Sequence, residues 1–174
     1  EDDMNYGEIK PRILIQAVGN PGRGDDGIGA AFIQMCQPWL SYASAHHLTI
    51  RNSYQLNVED AYTMSEFDIV VFIDASKAGI DSFAFTAVTP QRITPFTTHS
   101  MEPGSVLYLC NELYGKLPQT YLLEIKGYEW EMLEGLSEQA ERNLWKAFRF
   151  FRLKLQEWID MQEVHDTHPE DHHQ

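Results

Sequence analysis

Cysteine is scarce in this 174-residue chain: Cys36 and Cys110 are the only two. Both stand at apolar positions of expected helices, one turn after Phe32 and Val106. That placement predicts buried free thiols in a reducing compartment rather than a disulfide or a catalytic thiol. Long apolar runs are missing as well. None approaches the roughly 20 residues that cross a bilayer, and no leader pattern is visible, so a cytoplasmic protein without a membrane partner is expected. Cations are outnumbered, with 13 Lys and Arg against 26 Asp and Glu, a net charge of −13. Such a surface repels a phosphate backbone, and no basic stripe stands out to offset it, which argues against nucleic acid.

Several catalytic and nucleotide signatures are also missing. There is no H-E-x-x-H helix, and no Ser-His-Asp or Cys-His set is apparent. No Gly-Lys-Ser or Gly-Lys-Thr closes a phosphate-cradling loop, and Gly24, Gly27 and Gly29 run G-x-x-G-x-G rather than G-x-G-x-x-G.

What the chain does have is an alternation of strands and helices. Arg12 to Val18 reads as a strand and Gly27 to about Pro38 as a helix with Ile28, Phe32, Met35 and Cys36 on one face. Leu48 to Ser53 is a second strand, and Asn57 to Ser65 a short helix capped by Asn57. The continuous apolar run from Ile69 to Ile73, closed by Asp74, suits a central parallel strand buried on both faces. Phe83 to Val88 reads as a strand at an edge, Gly104 to Tyr114 as a helix and Tyr121 to Lys126 as a strand. The longest helix is expected from Ser137 to about Met161, with Leu144, Phe148, Phe151, Leu155, Trp158 and Ile159 at spacings of three and four. The pattern predicts a three-layer α/β/α domain around a twisted, mostly parallel sheet. Its expected limits are 12–164, after an N-terminal extension over 1–11. Over 165–174 the apolar period stops, and His165, His168, His172 and His173 mix with acids in an expected solvated tail.

In such sheets the functional loops lie beyond the carboxyl ends of the strands. Gly19-Asn20-Pro21-Gly22-Arg23-Gly24-Asp25-Asp26-Gly27-Ile28-Gly29 follows the first strand. A glycine-rich turn of this kind usually receives an anion, yet two carboxylates stand where a phosphate would go. Asp74 ends the apolar run, and His99 lies in Thr97-Thr98-His99-Ser100 before the helix at Gly104. Each has a plain structural explanation: a cap for Asp25, a first-turn acid for Asp26, a turn residue for Asp74, an incidental loop position for His99. Placed together at one sheet edge, the Asp25-Asp26 pair, Asp74 and His99 offer two carboxylates and one imidazole, a ligand set suited to a divalent first-row metal.

These motifs, Gly19-Asn20 with Asp25-Asp26-Gly27-Ile28-Gly29, then Ile73-Asp74-Ala75, then Thr97 to Met101, resemble the nickel–iron hydrogenase maturation proteases from about Arg12 to Phe151. The family usually has glycine where this chain has Ala17. The stretch Glu124 to Glu131 resembles the branch serving soluble, bidirectional-type hydrogenases. The resemblance implies an endopeptidase that removes the C-terminal extension of a hydrogenase large-subunit precursor after nickel insertion. It implies that Asp26, Asp74 and His99 contact that nickel, which arrives with the precursor and completes the site. Asp25 would then orient a neighbour or act as the base for a water. A monomer fits the same resemblance. Two other readings stand beside it. One is a nickel-dependent assembly factor that binds the large subunit without cutting it. The other rests on Gly19-Asn20-Pro21-Gly22, which also resembles the start of the peptidyl-tRNA hydrolases, although no His occurs before His46.

Overall fold

The computed structural model describes residues 11–41, 47–93 and 101–166. Five segments form one sheet: β1 (Ile13–Val18), β2 (Leu48–Ser53), β3 (Ile69–Ser76), β4 (Phe83–Ala87) and β5 (Gln119–Lys126). The order across the sheet is β2-β1-β3-β5-β4, and every pair is parallel except β4 with β5. β4 is therefore an edge strand, as the alternation around Thr86 predicts. The helices are α1 (Ile28–Cys36), α2 (Glu59–Met64), α3 (Pro103–Tyr114) and α4 (Glu138–Asp166).

The pleat sends alternate side chains of each central strand into two separate cores. Ile13, Ile15 and Ala17 of β1 join Ile69, Val71 and Ile73 of β3 in one core, covered by α1 and α4. Leu14 of β1 joins Val70 and Phe72 of β3 in the other, covered by α2 and α3. The expected three layers follow directly. Under α4 the first core is aromatic: the Phe32 ring lies 5.7 Å from both Phe148 and Phe151, and Trp39 stacks on Phe148 at 4.7 Å. Cys36 and Cys110 are buried free thiols, one in each core, as expected. Among the described residues no helix is long and apolar enough to cross a membrane.

Three local expectations change. The Asn57 side chain does not cap α2. The Asp60 carboxylate does so from inside the first turn, accepting the Asn57 N–H at 2.7 Å. Asp60 also accepts from the buried Gln16 amide of β1 at 2.9 Å, which ties the start of α2 to the sheet. Secondly, Asp74 does not end its strand, because pairing with β5 carries β3 on to Ser76. Thirdly, α4 continues to Asp166, past the expected start of the tail, and 167–174 lie outside the described residues.

Candidate active site at the β1–β3 switch

From β1 the chain crosses to β2 on one side, and from β3 it proceeds toward β5 on the other. The carboxyl ends of β1 and β3 therefore flank the point where the strand order reverses, where open α/β sheets hold their ligands. Asp26 lies in the turn after β1 and Asp74 near the end of β3.

Dense backbone bonding shapes the first turn. Gly19 prolongs the β1–β2 ladder by donating to the Ser53 carbonyl at 3.0 Å. Its φ is +138°, and a Cβ there would collide with the carbonyl oxygen of Asp26, so only glycine lets the two backbones approach. The Asn20 N–H donates to Asp26 Oδ2 at 2.7 Å, and Asn20 Oδ1 accepts from Gly22 at 2.9 Å. A 3-10 turn over Gly24–Gly27 then runs into α1. Asp26 is half-buried, with one carboxylate oxygen anchored by this turn.

Asp25 points elsewhere. It is fully buried, and its carboxylate accepts four hydrogen bonds: from the N–H groups of Tyr128 (2.7 Å), Glu129 (2.9 Å) and Ser137 (2.7 Å), and from the Ser137 hydroxyl (2.7 Å). Burial pushes its pKa up, but these donors together outweigh burial and hold it below the usual carboxylate value. Ser137 Oγ also accepts from Ala140 at 3.2 Å, so the same contact fixes the start of α4. Backbone bonds reinforce the clamp: Gly24 donates to Leu133 and Asp25 to Glu129, each at 2.8 Å. The expected alternative of a water base does not fit a carboxylate with every bond directed at the 128–137 segment. Asp25 ties that segment to the turn that carries Asp26.

Asp74 lies on the α2/α3 side of β3, in register with Glu124 of β5. It is half-buried, and its pKa rises to about 7. Burial is the largest cause, followed by the negative charge of Asp26; the Ala75 N–H opposes them, while Glu102 and Glu124 add to the rise. The structure thus brings Asp26 and Asp74 into electrostatic contact across the switch point. Glu102, the residue preceding α3, belongs to the same acidic neighbourhood and was not foreseen. Its only sequence signal is its place directly after the Thr97 to Met101 motif.

His99, the third expected ligand, lies outside the described residues. Among the described residues no group of three His, Cys, Asp or Glu side chains is arranged to hold a metal ion. Beside the clamp lies a groove of about 700 Å³, lined by Gly24, Tyr128, Trp130, Leu133 and Leu136 together with Glu129, Glu131 and Glu134. It opens two residues from Asp26 and is far larger than a single ion requires.

No family profile and no curated protein sequence matches the chain. Solved structures do. A [NiFe] hydrogenase maturation protease, HycI, from Thermococcus kodakarensis KOD1 superposes with a TM-score of 0.63 at 21% identity, over 82% of this chain and 90% of that one. The hydrogenase maturating endopeptidase HybD from E. coli gives 0.64 at 18% identity, over 84% and 93%. A hydrogenase 2 maturation peptidase from a Thaumarchaeota archaeon gives 0.58 at 19%, over 83% and 97%. The chain therefore has the three-layer α/β/α fold of these peptidases along nearly their whole length, as the motifs implied.

Proposed function

We propose that this chain, built on the fold of the hydrogenase maturation peptidases, is itself an endopeptidase of that kind. Its substrate is the precursor of a nickel–iron hydrogenase large subunit, from which it removes the C-terminal extension once nickel is in place. One observation carries the reading: two acids, Asp26 and Asp74, flank the switch point of this fold, and the charge of Asp26 disfavours that of Asp74. A divalent cation between them would turn that repulsion into shared attraction. Asp26, Asp74 and His99 would hold the nickel that arrives with the precursor, and both oxygen and imidazole donors suit such an ion. Bound there, the metal would supply Lewis acidity to the neighbouring carbonyl. The protein's own part is positional. The Asn20 N–H anchors one Asp26 oxygen, β3 carries Asp74, and the Asp25 clamp holds the 128–137 segment against the turn of Asp26.

The absence of any opened thiol supports the assignment, since both cysteines are buried and burial pushes both thiols up. Buried free thiols also support a cytoplasmic setting. Nickel-loaded precursor incubated with purified chain should lose mass at its C-terminus. Asp26→Asn, Asp74→Asn and His99→Ala should each slow that loss by about a hundredfold or more, in line with removal of a metal ligand or its partner. Processing at the wild-type rate by any of the three sinks the metal-contact reading. Binding without a mass change would instead identify a non-catalytic assembly factor.

A further inference from the structure

No basic stripe was expected from the sequence, yet α4 carries one. Between Arg142 and Lys154 stand five of the chain's 13 cationic residues and not one acid, in a protein of net charge −13. Helical spacing of four, three and four sets Arg142, Lys146, Arg149 and Leu153 along a single line, with Trp145 and Arg152 flanking it. The opposite face of the same helix, at Leu144, Ala147, Phe151 and Leu155, is buried in the core. Trp145 is 53% exposed and Leu153 59%. Arg142 pairs with Glu138 at 3.9 Å, both side chains in solvent; among the described residues Lys146, Arg149 and Arg152 make no ion pair.

We propose that this face of α4 is a docking surface for an acidic patch on the precursor, outside the segment that is cut. The proposal rests on the assigned activity. Ser137, directly before α4, is bonded to Asp25, so the helix starts beside the residue that adjoins Asp26. From Arg142 to Leu153 the stripe then extends about 17 Å away from the site. A folded substrate whose C-terminal segment reaches the turn of Asp26 would meet the first turns of α4 beside it. Unpaired cations around two exposed apolar side chains suit an acidic protein patch with an apolar centre. A second copy of the chain fits poorly. A two-fold contact would set α4 against α4 and like charge against like. Duplex DNA would have to run on over acidic surroundings.

The test is the affinity of the full chain for nickel-loaded precursor, measured by calorimetry at low temperature. Lys146→Glu/Arg149→Glu/Arg152→Glu should weaken binding by about tenfold or more, and the corresponding triple glutamine variant by less. Wild-type affinity should fall as salt rises from about 50 to about 300 mM. Melting curves establish that both variants fold; if the glutamate variant does not, the glutamine variant decides. Unchanged affinity in the folded variants overturns the surface and leaves the activity standing. A wild-type chain that neither binds nor shortens the precursor overturns both. Binding of phosphatidylserine vesicles or duplex DNA that the reversal abolishes, with precursor affinity intact, assigns the stripe elsewhere and also overturns the proposal.

Discussion

Asp25 and Asp74 are driven in opposite directions by their surroundings, so their contributions to stability have opposite signs. The folded-state value of Asp25 lies below its ordinary value of 3.8. It therefore stabilises the fold above that pH, and the contribution is lost as pH falls through the folded value. Asp25→Asn keeps the shape but turns an amide N–H toward backbone donors. At pH 7 it should cost about 3 kcal/mol in urea unfolding, and the gap to wild type should close in acid. Asp74 behaves in the reverse sense, because its folded value of about 7 exceeds 3.8. Its ionisation begins to penalise the folded state above about pH 4, and the penalty is complete above about pH 7. Asp74→Asn in the metal-free chain should thus raise Tm at pH 8, by a free-energy margin of a few kcal/mol, and leave it unchanged near pH 4. No gain at pH 8 would show that neither burial nor the neighbouring Asp26 penalises the Asp74 charge.

At the scale of elements, the aromatic seam under α4 holds the site's framework to the sheet. Phe151 is fully buried, and its ring lies 6.1 Å from Trp158, 6.2 Å from Trp39 and 6.4 Å from Phe85. Phe151→Ala should cost about 4 kcal/mol, read as a drop in the urea midpoint with the slope unchanged. Elements of this kind were legible because their signal is local. Leu48–Ser53 appears with its expected bounds, and the apolar run at Ile69 to Ile73 is central as its two-sided burial requires. Other features carry no local trace. The partners of Asp25 lie 103 to 112 residues away, and nothing in either segment announces the other. The Asp60 carboxylate that caps α2 lies three residues beyond Asn57, and Asn before a helix is the commoner cap, so the sequence pointed to Asn57. Glu102 reached the site only through the placement of α3 against β3, which depends on strand order rather than on periodicity. Asp26 and Asp74 could be singled out from the sequence because they lie just beyond β1 and near the end of β3, where open α/β sheets hold their ligands.

Across the whole molecule, charge is spread so that folding and partner binding respond to salt with opposite signs. Among the described residues the two ion pairs, Arg142 with Glu138 and Lys154 with Glu157, are both on α4. They are exposed pairs at helical spacing, each contributing a few tenths of a kcal/mol. Among the described residues no other acid makes an ion pair, and mutual repulsion at a net charge of −13 opposes compaction. Screening relieves repulsion faster than it weakens two exposed pairs. Raising ionic strength from about 10 to about 150 mM, which shortens the Debye length from about 30 to about 8 Å, should therefore raise Tm. A chain stabilised by ion pairs would lose Tm over the same range, so differential scanning fluorimetry in sodium chloride separates the two cases. The same salt that firms the fold weakens attraction at the cationic face of α4, because there the charges are of one sign and await the opposite one. Stability and docking are thus separable in a single titration: Tm rising while affinity falls is the outcome this charge distribution requires.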